Sequence, residues 1–229
     1  MLPKSFKTAF QVIGILIWKD LLIDLRRKEN FLSMLFFSII TLLIFYFAFG
    51  EQDTAIREAV PGVFWVTFLL AGVLGLNKAQ AQEVENGNMG GLLLTPTDRS
   101  LIFLGKALSS LLSLLLLQSL MVPIVLLLFN LWVHHWMLLV LCILGGTLGF
   151  AFLGTLLTSL TAALHGKELL LPLLLFPLMI PSLLSVVHIT SLALKPSDPS
   201  YYNWMALLIG FDIIVGVFSL LGFELIVEA

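Results

Sequence analysis

Four histidines, one cysteine and a carboxylate set deep in an apolar run are the side chains here with chemistry to offer. Their spacing builds no reactive centre. His134 and His135 are adjacent, and adjacent residues do not share a helix face, while His165 and His188 stand alone. They read as interfacial polar residues rather than ligands. A single cysteine, Cys142, excludes an internal disulfide and a multi-cysteine metal cluster; inside its apolar run it is a small hydrophobic side chain. Gly-Lys occurs in "LGKA" and in "HGKE", where Ala107 and Glu168 stand in place of the hydroxyl that a phosphate-cradling loop requires. Neither G-x-S-x-G nor H-E-x-x-H occurs. A transporter built on this chain therefore needs an ATPase partner.

Three further features carry potential function. Asp212 sits about eight residues into an apolar segment, close to mid-membrane at ~1.5 Å per residue. A carboxylate there is costly, so it is either a pathway or gating group or a structural one, protonated or paired with His188, Ser185 or Thr190. Pro172, Pro177 and Pro181 recur within one apolar segment, where each removes a backbone hydrogen bond. They predict a broken or moving helix, or a static kink. The strip "QEVENGNMGGLLLTP", Gln82–Pro96, puts Glu83 and Glu85 between two membrane-length segments. Residues 80–86 hold no helix breaker and Gly87 can terminate a short helix, with Val84 or Met89 as an apolar anchor. Such a helix suits docking onto a soluble partner; a solvated connection is the plainer reading.

The elements that must position these residues are membrane spans. The chain has 229 residues, 59% hydrophobic and 11% charged, far more apolar than a soluble domain. Six segments reach the roughly 20 residues a spanning helix needs, approximately Phe31–Phe49, Val60–Leu76, Ala107–Phe129, Trp136–Leu164, Leu169–Leu192 and Trp204–Val227. Of the 12 lysines and arginines, all but Arg57 and Lys195 fall on one side of this arrangement, which places both termini in the cytoplasm. Tyr46, Trp65, Trp132, Trp136, Tyr201, Tyr202 and Trp204 mark the outer interface. The strip Gln82–Pro96 is then cytoplasmic. A net charge of −2 offers no footprint for nucleic acid.

Before the first span, Phe6, Phe10, Ile13, Ile17, Leu21 and Leu25 follow helical spacing and Arg26, Arg27 and Lys28 close the segment. An interfacial helix over residues 1–30 is expected, a plain basic leader being the alternative. No small-residue cleavage pattern follows, so the segment is expected to stay in the mature protein. Within span four, "GGTLGFAFLGTLLTS" places Gly145, Gly149 and Gly154 at helix-packing spacing, for packing inside the bundle or against another subunit.

The stretches "AVPGVFWVTFLLAGVLGL", "QEVENGNMGGLLLTP", "GTLGFAFLGTLLTSLT" and "FPLMIPSLL" together resemble the haem exporter protein B family of cytochrome c maturation. More broadly, the chain looks like an ABC-2-type exporter permease. The resemblance implies an all-α integral membrane protein, with residues 31–229 a six-helix permease domain and residues 78–98 its cytoplasmic coupling segment. It implies that Gln82, Glu83, Val84, Glu85, Asn86, Gly87 and Met89 contact an ABC ATPase subunit that binds ATP and magnesium. It also implies a second copy of the permease, a separate haem-handling membrane protein and a haem chaperone, in the cytoplasmic membrane. The haem belongs to those partners; this chain is expected to bind no cofactor and to have no enzymatic activity of its own. A permease for a lipid, glycan or drug, or a scaffold without transport, are the competing expectations.

Overall fold

A computed structural model describes residues 28–49, 54–85, 98–163, 170–196 and 200–228, together with Gly14 and Trp18. The described residues form six helices and no strand. They are α1 Lys28–Phe49, α2 Thr54–Glu85, α3 Arg99–Leu128, α4 Trp136–Ala163, α5 Leu170–Leu194 and α6 Tyr202–Glu228. All six are long and apolar enough to cross a membrane, so the chain is a multi-pass membrane protein. The amphipathic segment before α1 lies outside the described residues except for Gly14 and Trp18, both helical and exposed.

Two helices exceed their expected lengths. α2 begins at Thr54 and ends at Glu85, so Pro61 lies inside it rather than at its head. α3 begins at Arg99 and carries Lys106 within its second turn. In α2 polar helix-forming residues prolong an apolar core, whereas in α3 the apolar run Leu101–Leu104 lies before the expected start, between Arg99 and Lys106. At the outer end of α3 the chain turns through Asn130 at φ 48°, a left-handed conformation that asparagine tolerates. Leu131 N–H then donates to Leu126 O at 2.9 Å and Asn130 N–H to Leu127 O at 3.4 Å. This paired motif satisfies carbonyls the helix end would leave open.

α2 and α4 form the interior: 67% and 56% of their best membrane windows are buried, against 17% for α1. α4 packs on α2, α3, α5 and α6. It can approach them because its glycines open notches on different sides. An ideal Cβ at Gly146 would lie 2.7 Å from both the Trp65 ring and Val186 Cγ1, and one at Gly154 would lie 2.5 Å from Leu76. From the other direction, Gly72 of α2 admits the Phe150 ring of α4, at 2.6 Å from its ideal Cβ. Trp65, Phe68 and Phe150 stack along this seam at centroid distances of 5.7 and 5.4 Å. The buried indole N–H of Trp65 donates to Thr190 Oγ1 of α5 at 2.9 Å, so the largest side chain in the core leaves no unsatisfied donor. Cys142 completes the group, donating to Val186 O at 3.4 Å.

α5 corrects the expectation of a broken helix. It runs unbroken from Leu170 to Leu194 through Pro177 and Pro181, and Pro172 falls in its first turn, where no N–H is needed. Proline's fixed φ is itself helical, so each interior proline costs a hydrogen bond and a steric push without severing the helix. Packing on α4, α2 and α6 holds the segment in line.

The notches give a direct test. Gly146→Ala places a methyl against the Trp65 ring and is expected to lower stability by about 1–3 kcal/mol. Gly216→Ala, with nothing within 4 Å of its Cβ position, is expected to cost nothing measurable. Thermal unfolding of both variants in mild detergent checks the contrast.

Candidate coupling end and intramembrane polar site

The strip begins as part of α2. Its apolar window ends at Ala79, yet the helix continues to Glu85, about 9 Å further at ~1.5 Å per residue. Gln82, Glu83, Val84 and Glu85 are therefore the last turn of a spanning helix rather than a separate surface helix. Asn86, Gly87 and Met89 lie outside the described residues.

A set of polar contacts just above this end ties α2 to the entry of α1. Asn30 Nδ2 donates to Gly75 O at 3.2 Å. Gly75 has no side chain to block the approach, and Met34 packs over the space a Cβ would fill. One turn on, Lys78 Nζ donates to Ser33 Oγ at 3.1 Å and to Glu29 O at 3.5 Å. Ser33 Oγ in turn donates to Glu29 O at 2.6 Å, so its hydroxyl both accepts and donates. Ammonium-assisted contacts of this kind are stronger than neutral ones. The result is a clamp between the first turns of α1 and the C-terminal part of α2.

Sequence reasoning used Lys78 only to orient the chain and passed over Asn30, Ser33 and Gly75. The glycine pair Gly72 and Gly75 in "AGVLGL" was the available signal, since small residues one turn apart mark close approach.

Asp212 does not meet its expected partners. His188 stacks on Trp204 with centroids 4.1 Å apart, Ser185 Oγ donates to Pro181 O at 2.9 Å, and Thr190 receives Trp65. Asp212 faces α4 instead, where ideal Cβ atoms at Gly149 and Gly145 would lie 2.5 Å from Oδ1 and 3.4 Å from Oδ2. The direction is a matter of helix rotation, which residue counting does not supply. Gly145 and Gly149 thus serve α4–α6 contact, and Gly154 serves α4–α2.

At the outer rim, His134 and His135 N–H groups donate to Ala193 O at 3.0 and 3.1 Å, and His134 Nδ1–H donates to Leu194 O at 2.9 Å. They cap the carbonyl end of α5. Lys195 approaches Glu58 at 3.7 Å nearby. Among the described residues, no three His, Cys, Asp or Glu side chains gather as a metal site. A crevice of about 30 Å³ between the outer parts of α2, α3, α4 and α5, lined by Pro61, Phe64, Val125 and Thr190, is water-sized.

The family described as CcmB protein matches residues 11–225. The chain is 30% identical to heme exporter protein B of Haemophilus influenzae over 169 residues, 74% of this chain and 76% of that protein. Against heme exporter protein B of Pseudomonas aeruginosa it is 32% identical over 173 residues, 76% of this chain and 78% of the relative. The Rhodobacter capsulatus protein of the same name is 31% identical over 170 residues, 74% and 78% of the two chains.

The clamp predicts a separation of effects. Asn30→Ala with Lys78→Ala should leave the chain inserted and able to bind an ATPase while lowering chain-stimulated ATP hydrolysis several-fold, roughly what about 1 kcal/mol of lost coupling gives. Pull-down and turnover measured on the same preparation check it.

Proposed function

The chain belongs to the CcmB protein family, and from that premise we propose that it is the membrane subunit of an ABC-type haem exporter complex serving cytochrome c maturation. Its relatives carry the name heme exporter protein B, and six spanning helices fit a permease rather than an enzyme. ATP binding and hydrolysis belong to a separate ATPase subunit, since no phosphate-cradling loop occurs in the sequence. We place the complex in the cytoplasmic (inner) membrane with both termini of this chain inside, following the bias of lysine and arginine. Two permease copies, a haem-handling membrane protein and a haem chaperone complete it, and haem is held by those partners.

One observation supports the coupling mechanism above all: the docking residues are the tip of an unbroken helix. An ATPase that grips Gln82–Glu85, with Asn86, Gly87 and Met89 beyond, holds the end of α2 directly. Any displacement of that tip travels along α2 to Phe68 and Trp65, and from there to α4 and α5 through ring packing and the Thr190 hydrogen bond. The clamp of Asn30 and Lys78 carries it sideways into α1. Pro177, Pro181, His188 and Asp212 are the candidates for responding groups on α5 and α6.

Glu83→Lys with Glu85→Lys is expected to reduce co-purification with the ATPase at least about fivefold, the equivalent of roughly 1 kcal/mol, and to lower stimulated hydrolysis in step. An unaffected complex with unaffected turnover would remove the strip from the interface. Deleting the gene should deplete covalently haem-loaded c-type cytochromes. Normal cytochromes with a defect tied to a lipid, glycan or drug would assign a different cargo, and normal cytochromes with no transport defect would leave a scaffold.

A further inference from the structure

Gln118 lies inside the apolar stretch of α3 and is fully enclosed, at 0% exposure. Leu114, Leu117 and Met121 are buried around it on the same helix. Neither its Nε2 nor its Oε1 has a hydrogen-bond partner among the described residues. An amide enclosed in this way has given up its hydration without a replacement, which makes its burial unfavourable. Solvent, lipid headgroups and a second copy of the chain do not reach atoms so fully covered. A partner for them has to come from inside the bundle.

The contacts of α3 with α2 fix what lies opposite. Leu114 Cδ2 is 3.3 Å from an ideal Cβ at Gly72, and Val122 and Val125 line one crevice with Pro61 and Phe64. Gln118 stands one turn from both Leu114 and Val122, on the same stripe of α3. The two helices run antiparallel, so counting between these contacts puts Gln118 level with Phe68 of α2. The adjoining position, Thr67, is also at 0% exposure, and its Oγ1 has no partner among the described residues either. Three unpaired polar atoms on neighbouring helices thus share one level of the bundle without meeting. α3 is softened at the same place: Pro123 has no N–H, so the Ser119 carbonyl loses its helical hydrogen bond.

We infer that Gln118 and Thr67 are the two halves of a conformational switch, unpaired in this arrangement and joined by a hydrogen bond once α2 and α3 have shifted against each other in the conformation that the ATPase drives. The inference rests on the reading of the chain as a permease moved by a separate ATPase. Unpaired atoms raise the free energy of the present arrangement, and the bond lowers that of the driven one, so the two lie closer together than packing alone would leave them. Both are positioning residues, acting through the helices that carry them.

The test uses the complex of the full chain with its co-purifying ATPase in mild detergent, and a cycle of Gln118→Met, Thr67→Val and the double variant. Each substitution keeps the size of the side chain and removes its polar atoms. Without ATP, each single variant should raise the thermal unfolding midpoint by about 3 °C, and the double variant by roughly the sum. With ATP, each single variant should lower chain-stimulated hydrolysis about threefold or more, and the double variant no further, because the same bond is lost in all three. Thr67→Ser, which keeps the hydroxyl, should retain turnover. A midpoint lowered by both single variants would mean that the pair is already bonded at rest, and would overturn the switch. Turnover unchanged by Gln118→Met, or losses that add in the double variant, would overturn it as well while leaving the permease reading intact. A wild-type chain that stimulates no hydrolysis in its complex would overturn that reading, and the switch with it.

Discussion

In hydrocarbon, leucine against leucine gains little over leucine against lipid, so helices hold together only where they approach closely enough for dense van der Waals contact. In this chain α4 makes that approach in several directions at once. Gly146 receives Trp65 and Val186, Gly154 receives Leu76, and Gly145 with Gly149 receives Asp212 and Leu208. Every other arrangement in the bundle leans on these contacts. Trp65 reaches Thr190 because Gly146 lets its ring lie flat between α4 and α5, and Asp212 can be tucked inward because two glycines leave it room.

The same seam links the cytoplasmic end to the core. α2 is an interior helix over most of its membrane stretch and still extends beyond it, so its tip is mechanically continuous with its most buried residues. Phe68 and Trp65 are fully enclosed, which means that α2 cannot shift without moving α4 and α5. The polar clamp adds α1 to that set, at the level where the chain enters the membrane. On the proposed reading, a permease driven by a separate ATPase needs such a path, and this one would be made of packing rather than of a chain of ionisable groups.

Much of this was legible in the sequence, and the failures have physical causes. Six apolar segments and their order follow from hydropathy, because lipid selects so strongly on composition. Helix ends were less legible: residues 77–85 are mostly polar yet good helix formers, residues 99–106 set an apolar run between Arg99 and Lys106, and the helices run through both. The prolines of α5 left a broken or moving helix and a static kink open, because local chemistry disfavours them, and of these the break is excluded: tertiary packing and a compatible φ keep the helix whole. Asp212 was read towards the wrong neighbours, since a count of residues gives position along a helix and not azimuth. The clamp at Asn30, Ser33 and Lys78 joins residues more than 40 positions apart, a pairing that periodicity along one helix does not encode.

The end of the bundle opposite the tip of α2 is stitched together. His134 and His135 hold the end of α5, Lys195 meets Glu58 at the start of α2, and Tyr46 packs edge-on against Phe129. If Trp65, pinned by its hydrogen bond, acts as the fulcrum of α2, the arms on its two sides are unequal. From Trp65 to Glu85 is about 30 Å, and from Trp65 to Thr54 about 16 Å, at ~1.5 Å per residue. A sideways stroke at the Glu85 tip is then reversed and roughly halved at the Thr54 end, trading distance for force at the stitched end.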